Sequence, residues 1–232
     1  MDRRRVKLAL ATLFFAATGY AAFAAEDTKP KDPNPPATIK IDVARGDRWN
    51  YDVRDDLTDE LRRVVEVAVT DVTDSEIDVR LRATKVTTNA EATSVALFDR
   101  DWRQKETGQL MFHPADDQTG VPTDIQVGKT WPFKFQMTRA NPPARGNFIG
   151  TAKVETWERV DLGNGLAYDA FKIAYDSSVT PVVNNRKVEW HVELWFAPAA
   201  QRYVKRRLES RQNGKLVEST LETLRDYQRR EQ

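Results

Sequence analysis

Apolar and polar residues alternate along most of the chain between residues 39 and 227. A period of two, with many β-branched and aromatic residues at the apolar positions, is typical of β-strands that bury one face. Turn-forming glycine and asparagine residues separate several of these stretches. The pattern therefore predicts an all-β, antiparallel fold: a strongly curved sheet or an incomplete barrel of about nine to eleven strands. The alternating stretches are 39–43, 49–53, 65–69, 77–81, 131–137, 171–175 and 188–196.

Two segments also fit a helical pattern. Apolar residues of the segment 57–65 share one helical face, which predicts a helical turn or two. Residues 216–228 fit both helical spacing and strand alternation. Because Asn213-Gly214 favours a tight hairpin turn directly before this second segment, we interpret residues 216–228 as a strand.

One short pattern occurs twice. The order Gly-x-x-Trp-x-aromatic-x-apolar is found at residues 46–53 and again at residues 128–135. A glycine before a strand marks a tight turn, and the tryptophan that follows opens the buried face of the strand. The repeat suggests two similar halves of one sheet that share an aromatic core.

The N-terminus has the three parts of a secretory signal. Basic residues at 3–7 precede an apolar stretch at 8–18, and Ala22-Phe23-Ala24 supplies small residues at a cleavage site. We therefore expect residues 1–24 to be a signal peptide that is cleaved after Ala24. The mature protein is then expected in the periplasm.

The rest of the chain divides simply. Residues 25–38 contain four prolines and no large apolar side chain, which is typical of a linker. Strand-like alternation then continues without a second linker, so we predict a single β domain at 39–227. Residues 228–232 are interpreted as a tail.

Composition excludes several kinds of site. The sequence contains no cysteine and only two histidines. Without cysteine there is no disulfide, no thiolate metal site and no lipidated N-terminal cysteine. The 36 Lys and Arg residues nearly balance 35 Asp and Glu residues, so the charge does not favour nucleic acid. We expect no resident metal or other cofactor, no nucleic-acid partner and no transmembrane segment in the mature chain.

Three motifs follow one another in the second half of the chain. They are Val127-Gly128-Lys129-Thr130-Trp131, then Ala170-Phe171-Lys172-Ile173, then Trp195-Phe196-Ala197-Pro198 with Val204-Lys205-Arg206 close behind. This order resembles a family of exported bacterial domains of unknown function, whose members are compared with the lipoprotein-carrier (Lol-type) half-barrel. The resemblance covers residues 120–227. It implies a fold and a compartment, and it implies no reaction.

Seven aromatic residues lie on the apolar faces of predicted strands. If the sheet curls, these side chains either pack as a core or line a groove for an acyl chain or another apolar ligand. The groove is the candidate ligand site, and the favoured function is a non-enzymatic binding or structural module for an apolar ligand or an envelope protein. The seven residues are Trp49, Tyr51, Trp131, Phe133, Phe135, Trp190 and Phe196.

Two polar features support alternative functions. Glu189, His191 and Glu193 alternate on one strand face, where neighbours are about 6.5–7 Å apart, a spacing that suits a metal ion or a catalytic base. An envelope hydrolase or metal-dependent enzyme is therefore the alternative to a binding module. An assembly factor that binds an acidic partner or lipid head groups is the third class. Its basic hairpin contains Arg202, Lys205, Arg206, Arg207, Arg211 and Lys215.

Overall fold

The computed structural model describes residues 30–113, 119–181 and 187–230. The predicted signal peptide at 1–24, its cleavage after Ala24 and the first part of the predicted linker at 25–29 lie outside the described residues.

Within these ranges, almost all regular secondary structure is antiparallel β-strand. The exception is one turn of 3-10 helix at Pro198–Ala200. The strands are β1 (Arg48–Asp55), β2 (Leu61–Val72), β3 (Glu76–Lys85), β4 (Glu91–Asp99), β5 (Gln104–Thr107), β6 (Leu110–His113), β7 (Thr130–Arg139), β8 (Ala144–Asp161), β9 (Ala167–Pro181), β10 (Val188–Ala197), β11 (Arg202–Gln212) and β12 (Lys215–Gln228).

The twelve strands close into a barrel. Each strand pairs with its neighbours in sequence, and β1 pairs with β12, so that Arg48 lies opposite Gln228. The all-β antiparallel prediction is confirmed, but the prediction of an incomplete barrel with nine to eleven strands is wrong. Closure was missed because alternation identifies a strand without identifying its partner. The number of strands was too low because β5 and β6 have only four residues each, too few to show a period.

The two segments with a helical pattern are both built into the sheet. The Asp55 carboxylate accepts hydrogen bonds from the amides of Leu57 and Thr58 (3.1 and 3.0 Å), which closes a turn before β2 begins at Leu61. The helical turns predicted at 57–65 are therefore wrong. Residues 216–228 belong to β12, which confirms the strand interpretation.

Burial of the inward-facing side chains changes along the barrel axis. At the end where β1 begins, inward side chains such as Trp49, Ile77 and Phe171 have at most 1% of their surface exposed. Toward the other end, inward apolar side chains on β2, β3, β10 and β11 are only partly buried, as with Leu81 on β3 and Val192 on β10, whereas Phe148 on β8 and Val179 on β9 stay buried. The barrel therefore has a closed end with a packed core and an open end. We call the inner face of the barrel near the open end, with its partly buried apolar side chains, the cup.

Two extended segments outside the strands fill the closed end. Ile39, Ile41 and Val43 are buried in the core although residues 39–43 form no strand, so their alternation reflects packing rather than strand pairing. Ile125, from the segment before β7, is fully buried in the same core. The amide of Ile39 donates to the carbonyl of Thr123 (2.9 Å), which joins the two segments.

The described part of the predicted linker is also attached to the barrel. The carboxylate of Asp169 accepts hydrogen bonds from the amides of Lys31 and Asp32 (2.9 and 3.0 Å). The indole of Trp157 donates to the carbonyl of Asp32 (2.8 Å). These bonds hold the segment before Ile39 against β8 and β9.

Candidate functional site

The cup is lined by apolar side chains that are neither fully buried nor fully exposed. They come from six strands, and the strand register places them all on the inner face of the barrel. Apolar side chains around a concave space, with a few polar groups among them, are the usual lining of a ligand site. The residues are Val65, Leu81, Leu110, Phe112, Met137, Trp190, Val192, Leu194 and Leu208.

The seven aromatic residues of the predicted site all face inward, but they lie at different depths. Two of them, Trp131 and Trp190, are only partly buried, and Trp190 is the one nearer the open end. Its ring lies against Phe148 with 6.2 Å between ring centres, and Phe148 stacks on Phe135 at 4.5 Å. Trp190 therefore connects the cup to the core. The other five are buried in the core: Trp49, Tyr51, Phe133, Phe135 and Phe196.

A polar cluster lies between the cup and the core on the β11–β12 side. Arg206 Nη2 donates to Glu222 Oε1 (2.7 Å), and the Tyr203 hydroxyl donates to Glu222 Oε2 (2.9 Å). Glu222 is buried, whereas 35% of the Arg206 side chain is exposed. Arg206 pairs with Leu194 across the sheet, which places its side chain on the inner face of the barrel beside the cup.

Arg202 lies behind this cluster in a box of aromatic rings. Its guanidinium carbon is 4.6 Å from the centre of the Trp102 ring and 4.9 Å from that of Tyr203. Rings of Trp49 and Phe98 lie at 5.7 Å. Such contacts stabilise a cation through the negative ring face. Among the described residues, Nε and Nη1 of Arg202 have no hydrogen-bond acceptor.

Burial and neighbouring charges set the protonation of the cluster. Burial raises the pKa of the Tyr51 and Tyr203 hydroxyls, so both remain protonated donors. Burial alone would raise the pKa of Glu222, but the charge and hydrogen bond of Arg206 outweigh it and hold that pKa below the usual value. Glu222 is therefore an anion at neutral pH, and Arg206 remains a cation beside it.

The polar residues of the alternative enzyme site lie on the outer face. Glu189 and His191 line a shallow hollow of about 460 Å³ on the outside of β8 to β11. His191 Nδ1 is 2.7 Å from Asp176 Oδ1, and both side chains are largely exposed. The pair forms a surface hydrogen bond, which is typical of neighbouring strands.

Glu193, the third residue of that set, has other partners. Its carboxylate contacts Lys172 Nζ (2.5 Å) and Arg207 Nη1 (3.2 Å), and Arg207 also contacts Asp56 (3.1 Å). These pairs form an ionic belt across the outer face of the sheet. In the described ranges no three His, Asp or Glu side chains are grouped so that they could hold a metal ion.

The basic hairpin divides between the two faces of the barrel. Lys205, Arg207 and Arg211 point outward, whereas Arg202 and Arg206 contribute to the buried cluster. Sequence reasoning grouped these residues as one patch and missed the inward pair. The sequence contains one sign of this, because Arg206 and the apolar Leu208 share the same alternation parity, whereas the register of Arg206 opposite Glu222 comes from the structure.

Among the described residues, no helix has both the length and the apolar character needed to cross a membrane. No protein-family model matches the chain, and no curated protein matches it in sequence.

Two solved structures share the fold. One is from Bacteroides fragilis, a candidate exported protein with a YmcC-like fold, with 12% identity and a TM-score of 0.55 over 83% of this chain and all of that one. The other is a candidate lipoprotein from Parabacteroides distasonis, with 11% identity and a TM-score of 0.54 over 84% of this chain and all of that one. At such low identity, these likenesses show the fold alone.

Proposed function

We propose that this protein is a non-enzymatic envelope module that holds an apolar ligand in the cup. The observation that carries the proposal is the change in burial along the barrel axis. On β2, β3, β10 and β11, inward apolar side chains are packed at the closed end and only partly buried toward the open end. Apolar surface inside a concave space gains free energy when an apolar ligand covers it.

The buried aromatic residues of the predicted site have a supporting role in this proposal. Phe135 and Phe196 form the floor on which a ligand rests, and Trp190 with the other half-exposed residues forms the wall. A rigid floor keeps the cup preformed, which lowers the entropic cost of binding.

The compartment is part of the same proposal. The basic, apolar and small-residue segments of the first 24 residues support export and cleavage after Ala24. The two structures of similar fold are named as an exported protein and a lipoprotein, which agrees with an envelope location. The intact mass of protein from an osmotic-shock fraction tests this part, and a chain that retains Met1 would contradict it.

Ligand binding is tested with N-phenyl-1-naphthylamine, whose fluorescence rises in apolar surroundings. We expect the wild-type protein to bind the probe and Leu81→Lys, which places a charge inside the cup, to weaken binding about tenfold or more. Val95→Lys is the matched control, because Val95 is on the adjacent strand, faces outward and is 67% exposed.

The control should leave probe binding unchanged. A wild-type protein that leaves the probe fluorescence unaltered would end the proposal. Equal loss of binding in Leu81→Lys and Val95→Lys would also contradict it, because the probe would then not be in the cup.

A further inference from the structure

We infer that the ligand of the cup is an anionic amphiphile and that Arg206 binds its charged head group, while Arg202, enclosed in the core, adds positive charge behind it. This inference rests on the proposed function, because it concerns the same cup. It specifies the charge of the head group of the ligand.

The first support is a set of hydrogen-bond donors without acceptors. Arg206 is bonded to Glu222 through Nη2, and its Nε is buried with no hydrogen-bond partner among the described residues, so Glu222 leaves this guanidinium incompletely paired. Nε and Nη1 of Arg202 also lack a partner there, but they are enclosed by aromatic rings of the core and do not face the cup. Buried donors of a charged group are normally paired, because leaving them unpaired is costly. A carboxylate or phosphate oxygen is the strongest acceptor for a guanidinium.

The second support is the charge within the barrel. Glu222 is one carboxylate beside two guanidiniums, so the cluster has one positive charge in excess. Arg63 adds to this excess, because it lies next to Val53, which in turn lies next to Glu222 across the sheet.

The remaining inward charges do not cancel the excess. The other buried carboxylate, Asp47, remains an anion but lies directly before β1 at the closed end, where it accepts the amides of Ala44 (3.0 Å) and Arg230 (2.9 Å). Asp55 is paired with Arg62 at 2.7 Å and Glu218 is exposed. Inward positions at the open end also include the basic Lys85 and Arg139.

The third support is the position of the charge relative to the apolar wall. Arg206 pairs with Leu194, and the next inward residue toward the open end is Leu208, which pairs with Val192. A cation beside half-exposed leucine and valine side chains suits a molecule with one anionic group and an apolar chain. A free inorganic anion would leave the apolar surface uncovered.

The test compares cis-parinaric acid with its methyl ester, which has the same chain without the charge. We expect the full-length mature protein to bind the acid at least about tenfold more tightly than the ester at neutral pH. Arg206→Met should weaken acid binding about ten- to a hundredfold and leave ester binding nearly unchanged. Arg211→Met, on the outer face of the same strand, is the matched control and should alter neither.

A second variant keeps the test decisive if Arg206→Met does not fold. Glu222→Gln removes the negative charge that pairs with Arg206 but keeps the shape of the side chain at position 222. Binding of cis-parinaric acid should therefore become tighter, by about threefold or more. A purely structural Arg206–Glu222 pair predicts weaker binding of both probes in this variant.

The outcomes separate the two proposals. Equal affinity for acid and ester overturns the charge inference and leaves the apolar cup intact, whereas binding of neither probe overturns the proposed function itself. Inorganic phosphate or acetate is the competitor. If either displaces cis-parinaric acid at equal concentration, the site binds the anion without any contribution from the hydrocarbon chain of the probe, and that result also overturns the inference.

Discussion

Gly46 and Gly128 occupy equivalent places on opposite sides of the barrel. The amide of Gly46 donates to the carbonyl of Val69 (3.0 Å), and the amide of Gly128 donates to the carbonyl of Val154 (2.9 Å). Both glycines have positive φ (101° and 89°) and precede β1 and β7, which are six steps apart in the ring of twelve. The two copies of the repeated pattern therefore begin strands on opposite sides of the barrel with the same turn geometry.

Gly128→Ala should destabilise the protein through its backbone alone. A Cβ at this position would have no atom within 4 Å, but the positive φ is unfavourable for any side chain. We expect a loss of about 1–2 kcal/mol in the free energy of unfolding, measured by urea denaturation. Val127→Ala, at the exposed neighbour, is the control and should change it by less than about 0.5 kcal/mol. Equal values for the two variants would show that the turn is not strained.

Gly150→Ala should destabilise the protein for the opposite reason, which is lack of space. A Cβ there would lie 2.4 Å from the Asp176 carbonyl oxygen and 2.4 Å from Phe133 Cζ. We expect a loss of at least about 1–3 kcal/mol in urea unfolding, because the core must shift. Ile149→Ala, at the exposed outward neighbour, is the control and should change the free energy of unfolding little. A Gly150→Ala variant as stable as the wild type would mean that Phe133 is not packed against Gly150.

Trp49 and Trp131 begin the two repeated strands but should differ in their effect on stability. Trp49 is fully buried, donates to the carbonyl of Ala200 (2.8 Å) and stacks on Tyr227, whereas Trp131 is half-exposed. Trp49→Ala should cost about 3–5 kcal/mol and Trp131→Ala about 1–2 kcal/mol in thermal or urea unfolding. Similar losses would contradict the difference in burial.

Stability should depend on pH through Glu222. Its pKa is lowered from the usual 4.5, so the carboxylate stabilises the folded state above that pH. This contribution is lost as the pH falls through the folded-state pKa. We expect Glu222→Gln to be less stable than wild type by about 1.5–3 kcal/mol at neutral pH, with a difference that shrinks below about pH 4.5. A difference that stays constant down to about pH 3 would show that the carboxylate is not paired.

The sequence predicted the inner face of the barrel better than its closure. Alternation marked Trp49, Phe133 and Phe196 as inward residues because burial imposes a period of two. It also marked residues 39–43, which are extended and buried but belong to no strand. Pairing of β1 with β12 depends on contacts between distant residues, and a local period carries no information on such contacts.

The candidate site was predicted in part for a similar reason. Aromatic residues were recognised as inward, but their depth depends on how far each strand extends toward the open end. Arg206 was assigned to a surface patch because its neighbours Lys205 and Arg207 are basic. Only the strand register shows that it faces Glu222 on the inside.

The seam between β1 and β12 has a consequence for how the chain reaches its native state. The first and last strands of the ring hydrogen-bond to each other, from Arg48 opposite Gln228 to Asp55 opposite Thr220. Until β12 has emerged from the ribosome or from a translocation channel, β1 and β11 each present an unpaired edge that can recruit another chain. Closure of the ring is therefore expected to be a late and slow folding step, since it brings together residues far apart in sequence. A chain interrupted before Lys215 would keep both edges open and aggregate.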